Sequence, residues 1–325
     1  MTRARASLAA LGLAGLVALV AAPAVLPTFT LTIVTLILVS AILASSVEVL
    51  AVEAGLVSIG HAGIAAVAAY GIAWTSLRDL DPVLQVAIAL VVTVVASAVY
   101  AVTTMRTNGI VFLMITLALG IVVYGLALKL STITGGQNGL TGVRRPDLIS
   151  DPVSFHFVVL ASFVGVLGLR RVIARSPFGL VLRGARESET RMASLGYSVS
   201  RAKVLAVMLS GLIAGWAGVL IVWQAEFMSP NVASFGRSAM TVVMVILGGA
   251  GTLLGPLVGA TVVVGTEHWL SSFVERWPTL LGIVFIAVVL FAPGGVVGTL
   301  TGRALPLITP RTGAPRPDES QAVDP

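Results

Sequence analysis

Glu48, Glu53, His61 and Glu267 are ionisable residues that stand inside or beside long apolar runs. Two carboxylates followed by a histidine can relay protons, mark an ion or solute pathway, or hold neighbouring elements together as paired polar groups. A charge at the centre of a membrane-spanning segment costs about 2.5–3.5 kcal/mol on insertion scales. Glu48 lies well inside its run, so it marks either a pathway or a paired structural group. Glu53, His61 and Glu267 are expected nearer the interface, where the cost falls, and for His61 a satisfied structural role is the favoured reading.

Other chemistries lack their residues. The chain has no cysteine, which excludes disulfides, thiolate metal sites and cysteine nucleophiles. Gly-x-x-x-x-Gly-Lys-[Ser/Thr] does not occur, and the glycines of Thr134-Gly135-Gly136-Gln137-Asn138-Gly139 have no lysine to complete a phosphate loop. The three histidines form no His-Glu-x-x-His and no metal-spaced pair. A Gly-x-Ser-x-Gly nucleophile elbow is also missing. Energy from ATP, if used, must come from another polypeptide.

The elements that carry these residues are membrane helices. Of 325 residues 57% are hydrophobic and only 10% charged, and the mean hydropathy is +1.02. A soluble domain carries about 25% charged residues, so a cytosolic enzyme and a disordered chain are both excluded. Apolar runs mark about ten spans, near residues 8–25, 29–52, 56–77, 83–104, 109–128, 153–169, 204–223, 239–247, 253–270 and 279–291. The eighth is too short to cross about 30 Å and is expected to borrow residues from its glycine-rich flanks or to re-enter. The first run also fits a cleavable signal peptide, although a retained helix is favoured. With the N-terminus placed inside, fourteen of the 20 Lys and Arg fall in inside segments and six outside. This predicts cytoplasmic N and C termini and explains the pI near 10.5 and net charge of +6 without a nucleic-acid partner.

The long inside loop, 170–203, starts a helix at Ser176-Pro177, a hydroxyl cap followed by proline, and stops it at Gly196. Arg183, Glu187 and Arg191 recur every four residues, and Leu182, Ala185, Met192 and Leu195 form a partial apolar stripe. Spacing alone favours a solvated connector; a docking helix for a cytoplasmic partner is the functional alternative. Glycines repeat at 211, 215 and 218 and at 251, 255 and 259, a pattern best read as close helix packing within the protein. Gly248-Gly249-Ala250-Gly251 followed by Gly255-Pro256 predicts a broken or re-entrant segment buried in protein.

Taken in order, several segments resemble the branched-chain amino acid ABC transporter permeases. They are Gly55-Leu56-Val57-Ser58-Ile59-Gly60-His61-Ala62, Thr116-Leu117-Ala118, Thr134 to Leu140, Ser176-Pro177-Phe178-Gly179, Arg186-Glu187-Ser188-Glu189 with Ser194-Leu195-Gly196, Gly248 to Pro256, and Pro293 to Gly298. The lengths of the Thr-Gly-Gly loop and of the basic loop are similar to those of the M-type subunit. The resemblance implies an all-α polytopic helical bundle in the bacterial inner (plasma) membrane, a permease domain over 1–303 and a disordered cytoplasmic tail over 304–325. Implied partners are a second homologous permease subunit, two ATP-binding cassette ATPase subunits, a periplasmic or extracellular substrate-binding protein and membrane lipid. No cofactor is implied on this chain; ATP and Mg belong to the ATPase subunits. The family assigns ATPase coupling to the segment holding Arg186, Glu187, Glu189, Leu195 and Gly196. It implies that Glu48, Ser58, Gly60, His61, Thr116, Gly135, Gly136 and Asn138 lie in or beside the translocation pathway.

Four positions depart from the family pattern. Gly184 and Leu180 stand where alanine and arginine are usual, and the glycine costs about 1 kcal/mol of helix propensity, which predicts a looser docking helix. Glu48 replaces the common asparagine or aspartate, and Glu53 a common aromatic. An ionised Glu48 would repel an amino-acid carboxylate. Burial-induced protonation, pairing with the partner permease, or a neutral or cationic solute such as urea, an amide or a basic amino acid would each resolve this. A proton-coupled secondary transporter using Glu48, Glu53 and His61 is the rival of a different class.

Overall fold

The computed structural model describes residues 2–270, 277–292 and 294–301. The tail from 304 onward, Arg276 and Pro293 lie outside the described residues. The helices are α1 (Thr2–Val25), α2 (Thr28–Val49), α3 (His61–Ser76), α4 (Pro82–Thr104), α5 (Gly109–Lys129), the single turn α6 (Ser131–Thr134), α7 (Pro152–Arg175), α8 (Pro177–Glu187), α9 (Glu189–Ser194), α10 (Val199–Ala225), α11 (Phe235–Gly248), α12 (Gly255–Leu270), α13 (Trp277–Phe291) and α14 (Gly295–Thr301). Two short strands, β1 (Leu140–Thr141) and β2 (Phe227–Met228), pair antiparallel with Leu140 opposite Met228. The protein is an all-α membrane protein. Among the described residues five helical stretches are long and apolar enough to cross a bilayer: Thr28–Ala54, α4, α5, α7 and α10; stretches within α1 and α13, and all of α11, are apolar but shorter.

Short polar caps set where the helices begin. Asp81 accepts the Val83 N–H at 2.8 Å ahead of Pro82, and Asp151 accepts the Val153 and Ser154 N–H groups at 3.1 and 3.2 Å ahead of Pro152. Proline at the first helical position gives up no hydrogen bond there, and the carboxylate satisfies the orphan amides behind it.

In the core, α2 packs against α10, α12 and α7, and α10 against α3 and α4. α2, α3 and α10 are buried over most of their length, whereas α4, α5 and α7 bury one face and expose Val91, Val95, Ile121, Val164 and Val172 on the other. Exposed aliphatic faces beside a buried small-residue core suit lipid. The glycine pattern of α10 is used as expected: a Cβ at Gly218 would strike the Ala65 carbonyl on α3, and one at Gly215 the Thr93 side chain on α4.

Three elements differ from the sequence reading. The third apolar run does not start a helix at 56. α2 ends instead in a π turn, Leu50–Ala54, closed at left-handed Gly55 (φ +70°), and residues 55–60 run outside any helix to α3. The 177–195 helix is broken at Ser188, whose extended backbone and hydroxyl, accepting the Arg191 N–H at 3.3 Å, begin α9. Arg191 therefore leaves the Arg183–Glu187 ladder. The eighth run extends toward its N-terminal side: α11 has 14 residues, about 21 Å at 1.5 Å per residue, and it stops at Gly248 rather than borrowing from the glycines beyond.

The break at the glycine run is present. Gly249 (φ +104°) and Gly251 (φ +86°) turn the chain between α11 and α12; a Cβ on Gly249 would run into the Gly294 carbonyl and the Gly298 nitrogen, and one on Gly295 into the Gly249 backbone. Close backbone packing by α14 thus covers the buried Gly248-Gly249-Ala250 part of this irregular segment, while Gly251 and Leu253 stay exposed.

Candidate functional site

The 55–60 segment is seated by its own small residues. Gly60 lies against α4 and α5 so closely that a Cβ would meet the Thr116 carbonyl and, at 2.6 Å, the Tyr100 ring. The Ile59 N–H donates to Thr116 Oγ1 at 3.3 Å, and the Gly60 N–H to Ser58 Oγ at 3.2 Å. His61 begins α3 with 2% exposure, so it is buried inside the protein. Its Nδ1 is 2.9 Å from Ser58 Oγ and its Nε2 2.5 Å from Ser210 Oγ, which in turn donates to the Ser46 carbonyl at 2.7 Å. Because the Ser210 proton is committed to Ser46, Ser210 Oγ accepts from Nε2–H. Nδ1 then accepts from Ser58, whose lone pair takes the Gly60 N–H. One neutral tautomer satisfies every group in the chain. Ser58, Gly60, His61 and Thr116 thus come together as one buried cluster joining the 55–60 segment to α2, α5 and α10.

Gly135, Gly136 and Asn138 are elsewhere. They form the tight loop after α6, in which Gly135, Gly136 and Gly139 all have positive φ and a Cβ on Gly139 would press on Phe227 and the Met228 carbonyl. Asn138 is exposed. The neighbouring Arg145 caps the last turn of α10: it donates to the Trp223 carbonyl and, at 3.2 Å, to that of Gln224, pairs with Glu226 at 3.3 Å, and stacks over Phe155 at 4.5 Å. Burial draws the Arg145 pKa down and Glu226 opposes the shift.

The opposite end of the bundle holds the charged network. Glu48, fully buried on α2, accepts the Gly251 N–H on Oε1 at 2.9 Å and pairs through Oε2 with Arg170 of α7 at 2.5 Å. Arg170 also donates to the Leu253 carbonyl at 3.3 Å. Glu48 is thus a paired group whose counter-ion lies in the same chain, one of the two readings its place inside an apolar run allows. Glu53 of the π turn pairs with Arg183 of α8 at 2.5 Å, and Arg186 donates to the Val52 carbonyl at 2.7 Å with its stem across Gly55. A cavity of about 180 Å³ opens here, lined by Glu48, Val52, Glu53, Arg170, Arg175 and Gly251 among others. Glu267 is half-buried in the last turn of α12, away from this network in sequence and element.

Of the coupling residues expected from the basic loop, Arg186 and Glu189 are engaged within the chain. Glu189 pairs at 2.5 Å with Lys203, itself buried and bonded to Asn108 between α4 and α5. Glu187 and Leu195 are exposed, as are Leu180 and Tyr197, and Gly196 (φ +88°) ends the segment with open space around its Cα. At Gly184 a Cβ would meet Met192 Sδ at 2.7 Å, so the glycine leaves room for the Met192 side chain of α9 against α8.

Sequence reading missed Arg170, Ser210, Lys203 and Asn108 as site residues. For Arg170 a usable signal existed, since a carboxylate inside a span requires a cation at the same depth and Arg170 ends an apolar run. Ser210, 149 residues from His61, gave none.

The family model described as "Branched-chain amino acid transport system / permease component" matches residues 29–293. The high-affinity branched-chain amino acid transport system permease protein LivM of Salmonella typhimurium is 27% identical over 282 residues, and that of Escherichia coli 28%; each alignment covers 75% of this chain and 64% of the relative. A probable branched-chain amino acid transport permease protein LivH of Methanocaldococcus jannaschii is 26% identical over 214 residues, 59% of this chain and 66% of the relative. The chain thus spans less than two thirds of the length of the LivM proteins it matches. No solved structure matches it significantly. With the matched stretch running from the start of α2 to the end of α13, the chain belongs to the branched-chain amino acid transport permease family.

Proposed function

We propose that the chain is the membrane permease subunit of an ATP-driven importer of branched-chain amino acids, multi-pass in the bacterial inner membrane. In this reading it crosses about ten times with both termini in the cytoplasm. It works with a second homologous permease, two ATPase subunits carrying ATP and Mg, and a substrate-binding protein on the other side. The chain itself makes and breaks no bonds. The observation that carries the reading is the α8–α9 unit. It is held to the bundle by Arg183–Glu53, Arg186–Val52 and Glu189–Lys203, yet presents Leu180, Leu195 and Tyr197 outward. A rigidly held element with unpartnered apolar side chains at the basic end is what an ATPase would grip and move. The His61 chain supports this reading over a proton relay, since it ends with Ser210 donating to the Ser46 backbone carbonyl, which cannot pass a proton on.

The deciding experiment is reconstitution with the three partner components in proteoliposomes. Leucine uptake should require ATP and survive collapse of the proton gradient with ATP preserved. Loss of uptake on collapse would favour the proton-coupled rival. If leucine fails to compete while urea or arginine does, the substrate assignment falls.

Orientation has its own test. Since the chain lacks cysteine, Asn138→Cys should react with a membrane-impermeant maleimide in intact cells and Thr190→Cys, exposed at the basic end, should not. The reverse pattern would exchange the sides of every loop.

A further inference from the structure

The ion pairs at the basic end are not equivalent, and the difference suggests a mechanical part. Glu48–Arg170 is buried, its two side chains 0% and 10% exposed, and it ties α2 and α7 to the α11–α12 turn. Glu53–Arg183 is partly exposed, at 11% and 37%, and joins the π turn to α8. The π turn, Leu50–Ala54, follows Glu48 and contains Glu53; at its end the Gly55 N–H reaches back five residues to the Leu50 carbonyl, and the Leu56 N–H reaches the same oxygen at 3.3 Å. A π turn holds one residue more than the α-helical turn it replaces, so it can take up or release a residue into the chain that follows. That chain is the 55–60 segment, which ends at the buried Ser58–His61–Ser210 cluster.

We propose that the Glu53–Arg183 pair, backed by Arg186 on the Val52 carbonyl, is the positioning link through which movement of α8 shifts the π turn and the 55–60 segment, with Glu48–Arg170 as its fixed anchor. The contacts run without a gap. α8 reaches Glu53 and Val52 directly, Gly55 is covered by the Arg186 stem, and Ile59 and Gly60 bear on Thr116 of α5. The two-state element that such transmission requires is the π turn. The partly exposed pair suits a moving joint, because exposed ion pairs add little to folding and can break and re-form, whereas the anchor would be costly to open. Glu48 and Glu53, the two acidic departures from the family pattern, are thereby explained as one assembly matched by arginines of the same chain.

The use of this link in transport rests on the proposed importer function, but the link itself can be read without it. In the purified full chain, Arg183→Gln should raise backbone hydrogen exchange in Leu50–Gly60 by about tenfold, the range of ordinary coupling energies, while exchange in α5 and α10 stays at the wild-type level. Unchanged exchange in Leu50–Gly60, or a rise spread over the whole bundle, would overturn the proposal. In the reconstituted transporter, Glu53→Arg and Arg183→Glu should each keep the ATPase subunits bound and ATP hydrolysis running, while leucine taken up per ATP falls about tenfold. The double exchange Glu53→Arg/Arg183→Glu should restore most of that ratio, which a bracing role alone would not do. Equal uptake per ATP in wild type and single variants, or no recovery in the exchange, would overturn it. If exchange responds as expected but the wild-type complex moves no leucine with ATP, the importer reading fails and the link stands.

Discussion

Arg170→Met is expected to destabilise the folded protein by about 3–5 kcal/mol, the range for removing one partner of a buried ion pair. Glu48 is fully buried, and without Arg170 only the Gly251 N–H remains to stabilise its charge. The α11–α12 turn would also lose the guanidinium on the Leu253 carbonyl. Glu48→Gln should cost less, since the amide oxygen can still accept from Gly251 and Arg170 retains its carbonyl acceptors. The double variant Glu48→Leu/Arg170→Met should recover most of the loss, because a buried ion pair replaced whole by apolar groups is often neutral. Thermal unfolding of the detergent-solubilised protein compares all three with wild type. An Arg170→Met variant that melts with wild type would mean that the pair is not formed.

Much of the scaffold was legible because its signals are local. Ser176-Pro177 announces a helix start within three residues, and its cap is present; Asp81-Pro82 and Asp151-Pro152 turn out to be caps of the same form. Apolar runs mark segments long enough to cross a bilayer, and the glycines from 248 to 255 mark a break. What could not be read is which face of a helix turns inward. In a soluble helix the apolar stripe answers that; here both faces of α4, α5 and α7 are apolar, and burial follows mainly small or polar residues in α4 and α5 (Ala89, Thr93, Ser97, Thr116, Gly120) but large ones in α7 (Phe155, Leu160, Phe163). Pairings far apart in sequence were illegible for the same reason. Glu48 finds Gly251 203 residues away, and His61 finds Ser210 149 away, with no periodicity linking either pair.

The local signals also competed. Between 183 and 191 the four-residue charge ladder and the hydroxyl of Ser188 pointed to opposite outcomes, one a continuous helix and the other a new cap. The cap won: Ser188 takes an extended backbone and its hydroxyl accepts the Arg191 N–H at 3.3 Å, which removes Arg191 from the ladder, while Arg183 pairs with Glu53. The π turn itself has no signature: Leu50-Ala51-Val52-Glu53-Ala54 would serve equally in an α-helix, and only left-handed Gly55 shows where it must close.

A glycine series should give effects of opposite sign at positions that look alike in sequence. Gly218→Ala is expected to cost about 3 kcal/mol, the upper part of the usual range for overpacking. The added carbon meets the Ala65 carbonyl, a backbone atom of α3 that cannot rotate away, so the two central helices must separate. Gly259→Ala, against the Met244 backbone on α11, should cost a similar amount. Gly215→Ala meets the Thr93 side chain instead, and Thr93→Ala should therefore rescue much of its loss, while no side-chain truncation can rescue Gly218→Ala. Gly165→Ala and Gly168→Ala, on the exposed face of α7 with nothing within 4 Å of the new carbon, should stabilise by about 0.4–1 kcal/mol through the stiffer chain. Melting temperatures of the five variants, with the Gly215→Ala/Thr93→Ala double, decide the matter. Uniform small losses would mean that α10 and α12 do not approach their neighbours through these glycines. The expected split would show that the glycine sets at 211, 215 and 218 and at 251, 255 and 259 are intramolecular seams, leaving the aliphatic outer faces of α4, α5 and α7 to lipid or to a second permease.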